Sequence, residues 1–198
     1  MADKRLEALL AILKQYSWIE QDQEFTLASG RRSRYYIDAR MTTLHPEGAR
    51  LVGKVIYDLL EDAGVEAVGG MATAAIPMVT AVALVSADKP RTLPAFYVRE
   101  QAKEHGTQRA IEGPFPSQRG AKVAMLEDTI TTGGSLLRAI QQVEAEGAVV
   151  AKVVVLVDRR EGGCEKLRAM GYDVTALFDV PLEGRLEIAS GPPIRSPA

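Results

Sequence analysis

Between Val123 and Ser135 the chain reads VAMLEDTITTGGS, an apolar run followed by two adjacent carboxylates and then by hydroxyls and glycines. Thr129, Thr131, Thr132 and Ser135 offer hydroxyl donors around the apolar Ile130. Gly133 and Gly134 let backbone amides approach an anion without a β-carbon in the way. That part of the stretch suits a phosphate. Glu127 and Asp128 do not, because two negative charges beside a phosphate raise its binding cost unless something occupies the space between. Sugar hydroxyls, which donate hydrogen bonds to carboxylates, and a bridging Mg²⁺ are the two natural occupants. The implied ligand is a phosphorylated sugar. The competing reading, a turn with no ligand, suits Thr-Gly-Gly-Ser alone better than it suits that loop preceded by an acidic pair and an apolar strand. The chain contains no G-x-x-x-x-G-K-[ST] and no G-x-G-x-x-G, so neither a P-loop lysine nor a dinucleotide turn is expected.

Other residues with chemical potential are scattered. Arg99, Lys103 and His105 belong to REQAKEHGTQRAIEG, residues 99–113, which is mostly charged and has no apolar register. It reads as a long mobile loop of the kind from which lids are drawn, the alternative being a solvated surface loop. Tyr35 and Tyr36 lie in a strand-like segment. Adjacent strand residues face opposite ways, so at least one of the two rings is expected to be structural. Asp158 adjoins Arg159 and is expected to orient it. His45 reads as a loop residue, and Cys164 as inert.

These residues need a scaffold to converge. A chain of 198 residues, 46% hydrophobic and 25% charged, can bury the core of a single domain. A net charge of −2 and a pI near 5.8 give no global reason to bind nucleic acid or an anionic membrane. No apolar run reaches the roughly 20 residues that span a bilayer, and MADKRLEALL lacks a signal-peptide core, so cytoplasmic residence is the default expectation. The single cysteine excludes an internal disulfide. Leu6, Leu9, Leu10, Leu13 and Tyr16 recur at helical spacing, predicting an opening helix over 6–19. Short strands are expected at 25–27 and 35–38, and a helix from Pro46 to about Asp62. Thereafter apolar strands at 66–70, 93–98, 122–126, 149–157 and 172–178 alternate with helices at 74–86, 134–146 and 163–170. This rhythm predicts an α/β fold, a central parallel sheet flanked by helices on both faces, with LEDTITTGGS at a strand's carboxyl end where ligands of such sheets bind.

With the elements in place, LEDTITTGGS resembles the phosphoribosyl pyrophosphate (PRPP) signature of type I phosphoribosyltransferases. Three further segments resemble those of the orotate phosphoribosyltransferases in the same order: FTLASGRRSRYYIDAR, VREQAKEHG and LVDRREGG. The resemblance implies a type I phosphoribosyltransferase fold, with a small hood subdomain from about 1–40 to which the C-terminal end is a candidate contributor, and a lid at about 99–113. It implies transfer of the phosphoribosyl group from PRPP to orotate, giving orotidine monophosphate and pyrophosphate in pyrimidine synthesis, with Mg²⁺ held mainly through PRPP and water. Carried over by position, Glu127, Asp128, Thr129, Ile130, Thr131, Thr132, Gly133, Gly134 and Ser135 would hold PRPP. Arg99, Lys103 and His105 would reach the pyrophosphate of the neighbouring subunit's site, implying a homodimer; Lys103, Arg99, His105 and Asp128 are the implied catalytic set. Tyr35, Tyr36, Thr131 and Arg159 would meet orotate. The sequence departs from the family's pattern where lysines are usual: Ala28, Ala74 after Thr73, and Glu100. Two other readings stay open, a purine phosphoribosyltransferase and a PRPP-sensing regulator that binds nucleic acid; the first leaves Tyr35, Tyr36 and Arg159 without a role, and the acidic pI weighs against the second.

Overall fold

The computed structural model describes residues 3–26, 32–100, 110–180 and 184–190, with the backbone alone for 21–26 and 32–33. Asp3 caps the first helix, α1 (Lys4–Ile12), its carboxylate accepting the Arg5 backbone N–H at 2.9 Å. The helix loosens into a π turn over Leu13–Ser17 and stops there, short of the expected Ile19. Trp18 and Ile19 are taken instead by β1 (Trp18–Thr26), which pairs antiparallel with β2 (Arg32–Ile37) in the register Trp18↔Ile37 and Ile19↔Tyr36. Cross-strand pairing therefore outweighs the helical period, and both strands run longer than local composition predicts. Leu6, Leu9 and Leu13 turn inward and share an apolar core with Ile37, Val68, Leu126 and Leu186, so α1 and the hairpin are built onto the sheet.

A short α2 (Arg40–Thr43) leads into α3 (Pro46–Leu59), whose proline sits in the first turn where no N–H is missed. His45 caps that helix, Nδ1 accepting the Gly48 N–H at 3.5 Å while the imidazole stacks on Tyr16 at 4.7 Å. The residue expected to be a plain loop residue is thus a helix cap. There follow β3 (Ala67–Gly70), α4 (Ile76–Ser86), β4 (Tyr97–Val98), β5 (Ile111–Glu112), β6 (Lys122–Ile130), α5 (Gly134–Ala145), β7 (Val149–Asp158), α6 (Gly163–Ala169), β8 (Val174–Asp179) and β9 (Glu187–Ile188).

The central sheet has the order β3-β6-β7-β8-β9; β3, β6, β7 and β8 are parallel, and β9 closes one edge antiparallel to β8. Alternate residues of one strand feed opposite cores, as pleating requires. Ala124, Leu126, Val154 and Leu156 meet α1, α3 and α4 on one face, while Val123, Met125, Val153 and Val155 meet α5 and α6 on the other. Each fully buried Val, Leu or Met side chain among these contributes about 1.5–3 kcal/mol by leaving water. The segment at 93–98 lies beside β3, bonded through Val68 N–H to Pro94 O and Phe96 N–H to Val68 O. Pro94 has no N–H to give, which interrupts the ladder and leaves only Tyr97–Val98 as a regular strand. That piece pairs antiparallel with β5, so both described ends of the expected lid form a small hairpin. Residues 101–109, with Lys103 and His105, lie outside the described residues, as does Ala28. No helix is long and apolar enough to cross a membrane among the described residues.

Candidate active site

The acidic pair is part of β6, which continues to Ile130 rather than ending at Leu126. Pairing with β7 carries the strand on, through Glu127↔Val155, Thr129↔Val157 and Ile130↔Asp158. This placement buries both carboxylates, Glu127 at 5% exposure and Asp128 at 8%. Burial, with the Asp128 carboxylate beside it, pushes the Glu127 carboxyl up to about 8. Asp128 is also raised, by burial first, against the Thr129 N–H that it accepts at 2.7 Å. Glu127 Oε2 and the Thr129 hydroxyl are buried without a hydrogen-bond partner among the described residues. Buried polar atoms in native proteins are nearly always paired, so these two are candidates for contacts with a ligand.

Directly beyond, the chain crosses Thr131 and Thr132 into α5. Gly133 takes the left-handed conformation, φ 74°, that a side chain would strain. Among the described residues no side chain caps α5, and no carboxylate stands in its first turn, which leaves free N–H groups and a positive dipole end there. Thr132 and Ser135 are exposed there, and Thr131 and Gly134 half-buried. The arrangement offers hydroxyl acceptors on the strand and an anion cradle at the helix.

The neighbouring strand brings a cation to this edge. After β7, Arg159 N–H bonds to Ile130 O at 3.0 Å and Gly163 N–H to Thr131 O at 2.9 Å, tying the 159–163 turn to the loop after β6. A β-carbon at Gly163 would stand 2.4 Å from Thr131 O, so the contact needs glycine. Asp158 Oδ1 accepts the Arg160 N–H at 2.8 Å, holding Arg160 in a left-handed conformation at φ 54°, while the Arg160 guanidinium is anchored to Asp179. These ties leave Arg159 directed inward, 7% exposed, its guanidinium 5.8 Å from the Tyr35 ring and its Nε 3.3 Å from Glu161 Oε1. Tyr35 in turn stacks on Trp18 at 4.9 Å and 12°, and Gly184 lies against its edge.

Of the residues expected from sequence, Glu127, Asp128, Thr129 to Ser135 and Arg159 therefore converge on one carboxyl edge, with Tyr35 beside Arg159. Tyr36 is on the other face of β2 and 38% exposed. Arg99 directly follows β4, its N–H bonded to Ala110 O and its guanidinium 4.0 Å from Glu112. Glu100 is paired with Arg138 of α5 at 3.4 Å. Cys164 is fully buried, and burial together with the Asp158 carboxylate pushes its thiol far up, so it is no nucleophile. Sequence reasoning passed over Trp18, Glu161 and the Arg160–Asp179 tie. Glu161 stood inside the quoted LVDRREGG, where an acid two residues from an inward arginine was the signal; Trp18 had none until the hairpin register was known. Among the described residues no group of three or more His, Cys, Asp or Glu side chains could hold a metal ion.

An open α/β sheet with a buried acidic pair running into a glycine-entered helix is the arrangement that the sequence tied to a phosphorylated sugar. The family model described as phosphoribosyl transferase domain matches residues 41–174. The chain is 44% identical over 172 residues to the orotate phosphoribosyltransferase of Nostoc sp., covering 87% of this chain and 82% of that one. Crystal structures of Mycobacterium tuberculosis orotate phosphoribosyltransferase superpose with TM-scores of 0.76, at 35% identity over 90% of this chain and 97% of that, and of 0.69, at 33% identity over 88% and 94%. The second is a complex with 5-phospho-α-D-ribosyl 1-diphosphate. The chain belongs to the phosphoribosyltransferases of type I fold, and within them to the orotate phosphoribosyltransferase family.

Proposed function

We propose that this protein transfers the 5-phosphoribosyl group from PRPP to orotate, releasing pyrophosphate and forming orotidine monophosphate in pyrimidine biosynthesis. The observation that carries the reading is the joint placement of two kinds of group at one sheet edge. Polar atoms of β6 that lack a partner among the described residues run into α5, and a buried arginine stands one strand away beside an aromatic ring. Glu127 and Asp128 accept the ribose hydroxyls. The loop from Thr129 to Ser135 wraps the ribose phosphate through backbone N–H groups and hydroxyls. Arg159 meets the orotate carboxylate with its planar fork, Tyr35 flanks the pyrimidine, and Thr131 touches both ligands.

Transfer passes through a cationic, oxocarbenium-like ribosyl group, related to that of glycoside hydrolysis, and needs no protein nucleophile. The protein supplies orientation of the base, a negative environment near the developing sugar cation from Asp128, and positive charge on the departing pyrophosphate. That charge falls to Arg99, Lys103 and His105 of the lid, delivered to the neighbouring subunit's site of a homodimer. The residues fit a divalent cation: the buried carboxylate pair has raised affinity for protons, and one of its oxygens has no hydrogen-bond partner among the described residues. Glu127 and Asp128 are the side chains that would face Mg²⁺ arriving with PRPP, which supplies charge neutralisation on the diphosphate. With three usual lysines replaced by Ala28, Ala74 and Glu100, the remaining cations carry a larger share.

The test is consumption of orotate by the purified protein in the presence of PRPP and Mg²⁺, followed by the loss of orotate absorbance, with adenine, guanine and xanthine as competitors. Orotate turnover unaffected by the purines is the expected result; no orotate consumption would refute the reading.

A further inference from the structure

Arg159 carries a charge in a place where charge is costly. Its side chain and that of Glu161 are each 6% exposed, and the two are in contact, Nε to Oε1, at 3.3 Å. A buried guanidinium without a counter-charge is not retained cheaply, and Glu161 is the acid that contacts it. The pairing is incomplete in a specific way. Nε–H is not aimed along the contact closely enough to make a hydrogen bond, and Glu161 Oε2 is buried without a hydrogen-bond partner among the described residues. The contact engages the Nε side of the guanidinium, while the Tyr35 ring lies across from its central carbon at 5.8 Å. An arginine can present a carboxylate with either its Nε edge or its terminal fork; an acid at the Nε edge assigns the fork to an incoming ligand. Glu161 is itself placed by the backbone ties of the 159–163 turn to Ile130 and Thr131, which fix its position relative to the PRPP loop.

We propose that Glu161 is the positioning residue for Arg159: it neutralises and aims the guanidinium before the base enters, and thereby sets the preference for a carboxylated pyrimidine over an uncarboxylated one. This rests on the reading that Arg159 receives the orotate carboxylate. Glu161 does not touch substrate; it acts through Arg159.

The experiment compares E161A, E161Q and R159A with the unaltered protein, measuring kcat and KM for orotate and for PRPP, and the turnover of uracil, which is orotate without its carboxylate. E161A should raise KM for orotate on the order of tenfold to a hundredfold, the scale of misplacing a functional group by about an ångström, with KM for PRPP unchanged. The preference for orotate over uracil should narrow by a similar factor. E161Q, which keeps the shape and an acceptor, should recover part of the loss, and it carries the test alone should E161A not fold. Unchanged orotate KM and unchanged preference in folded E161A or E161Q overturns the proposal. A joint rise in KM for orotate and PRPP overturns it too, because that marks general damage, as does a fall in orotate KM, because Glu161 would then be competing with the substrate. R159A separates the two levels. If folded R159A keeps the orotate KM and preference of the unaltered protein, the underlying reading fails and the proposal with it; if R159A loses orotate while E161A does not, only the role of Glu161 fails.

Discussion

Glu127 shows how burial and function pull against each other at one side chain. In the folded protein its carboxyl holds its proton up to about pH 8, against an ordinary value of 4.5. Between those values the folded state binds more protons than the unfolded chain, so stability contributed by this group is present below about pH 4.5 and is lost as pH rises through about 8. Asp128 is shifted in the same direction and adds to the slope. The thermal midpoint of the ligand-free protein should therefore fall as pH is raised from 5 to 8, less so in E127Q, and scanning calorimetry at several pH values measures it. A midpoint indifferent to pH in both proteins would show that the carboxyls are ionised throughout. The identity of this pair was legible in LEDTITTGGS, because two acids before an anion loop have few chemical uses. Their burial was not, since it depends on β7 running beside them through Asp158. Arg159 came from the resemblance of LVDRREGG to the family's segment; Glu161 stood in that same segment, and the turn geometry is what separates it from a surface acid.

Single elements set the spacing of the site. The 159–163 turn touches the loop after β6 through two backbone hydrogen bonds, and Gly163 makes the closer approach possible. G163A places a methyl group 2.4 Å from Thr131 O, which something must move to accommodate. A cost of about 1–3 kcal/mol is expected from such overpacking, read as a lower urea midpoint, together with a raised KM for orotate. Unaltered stability would mean the turn relaxes freely. The element boundaries explain where sequence reading succeeded. Helices α3, α4, α5 and α6 fall within a few residues of their predicted spans, since apolar period, Pro46 and Gly133 are local signals. The first helix and the strand at 93–98 do not, since a hairpin partner claims Trp18 and Ile19, and the missing N–H of Pro94 breaks a ladder that composition alone would continue.

At the scale of the whole molecule, both faces of the central sheet are covered, as the alternation of apolar strands and helices predicted, and the site occupies its carboxyl edge. The β1–β2 hairpin and the residues around Gly184 come to the same corner from distant parts of the chain. No local pattern announces that meeting. The proposed sharing of a lid between subunits makes a prediction about mixtures: K103A would lack a lid cation and D128N an acid of the proposed sugar site, so each alone should be nearly inactive. Unfolded together and refolded, half the dimers are mixed and each holds one intact site, returning about a quarter of full activity for a closed two-fold dimer. A mixture as inactive as its parents would show that each subunit supplies its own lid. One ring of β1 adds a further handle. Trp18 is the single tryptophan among 198 residues and stacks on Tyr35, which borders Arg159. All indole emission from the protein thus originates two side chains from the orotate carboxylate's proposed seat, making the molecule its own optical probe. Titrating orotate should shift or quench that emission, after correction for orotate absorbance, in the protein with Arg159 intact and not in R159A, without a label and without turnover.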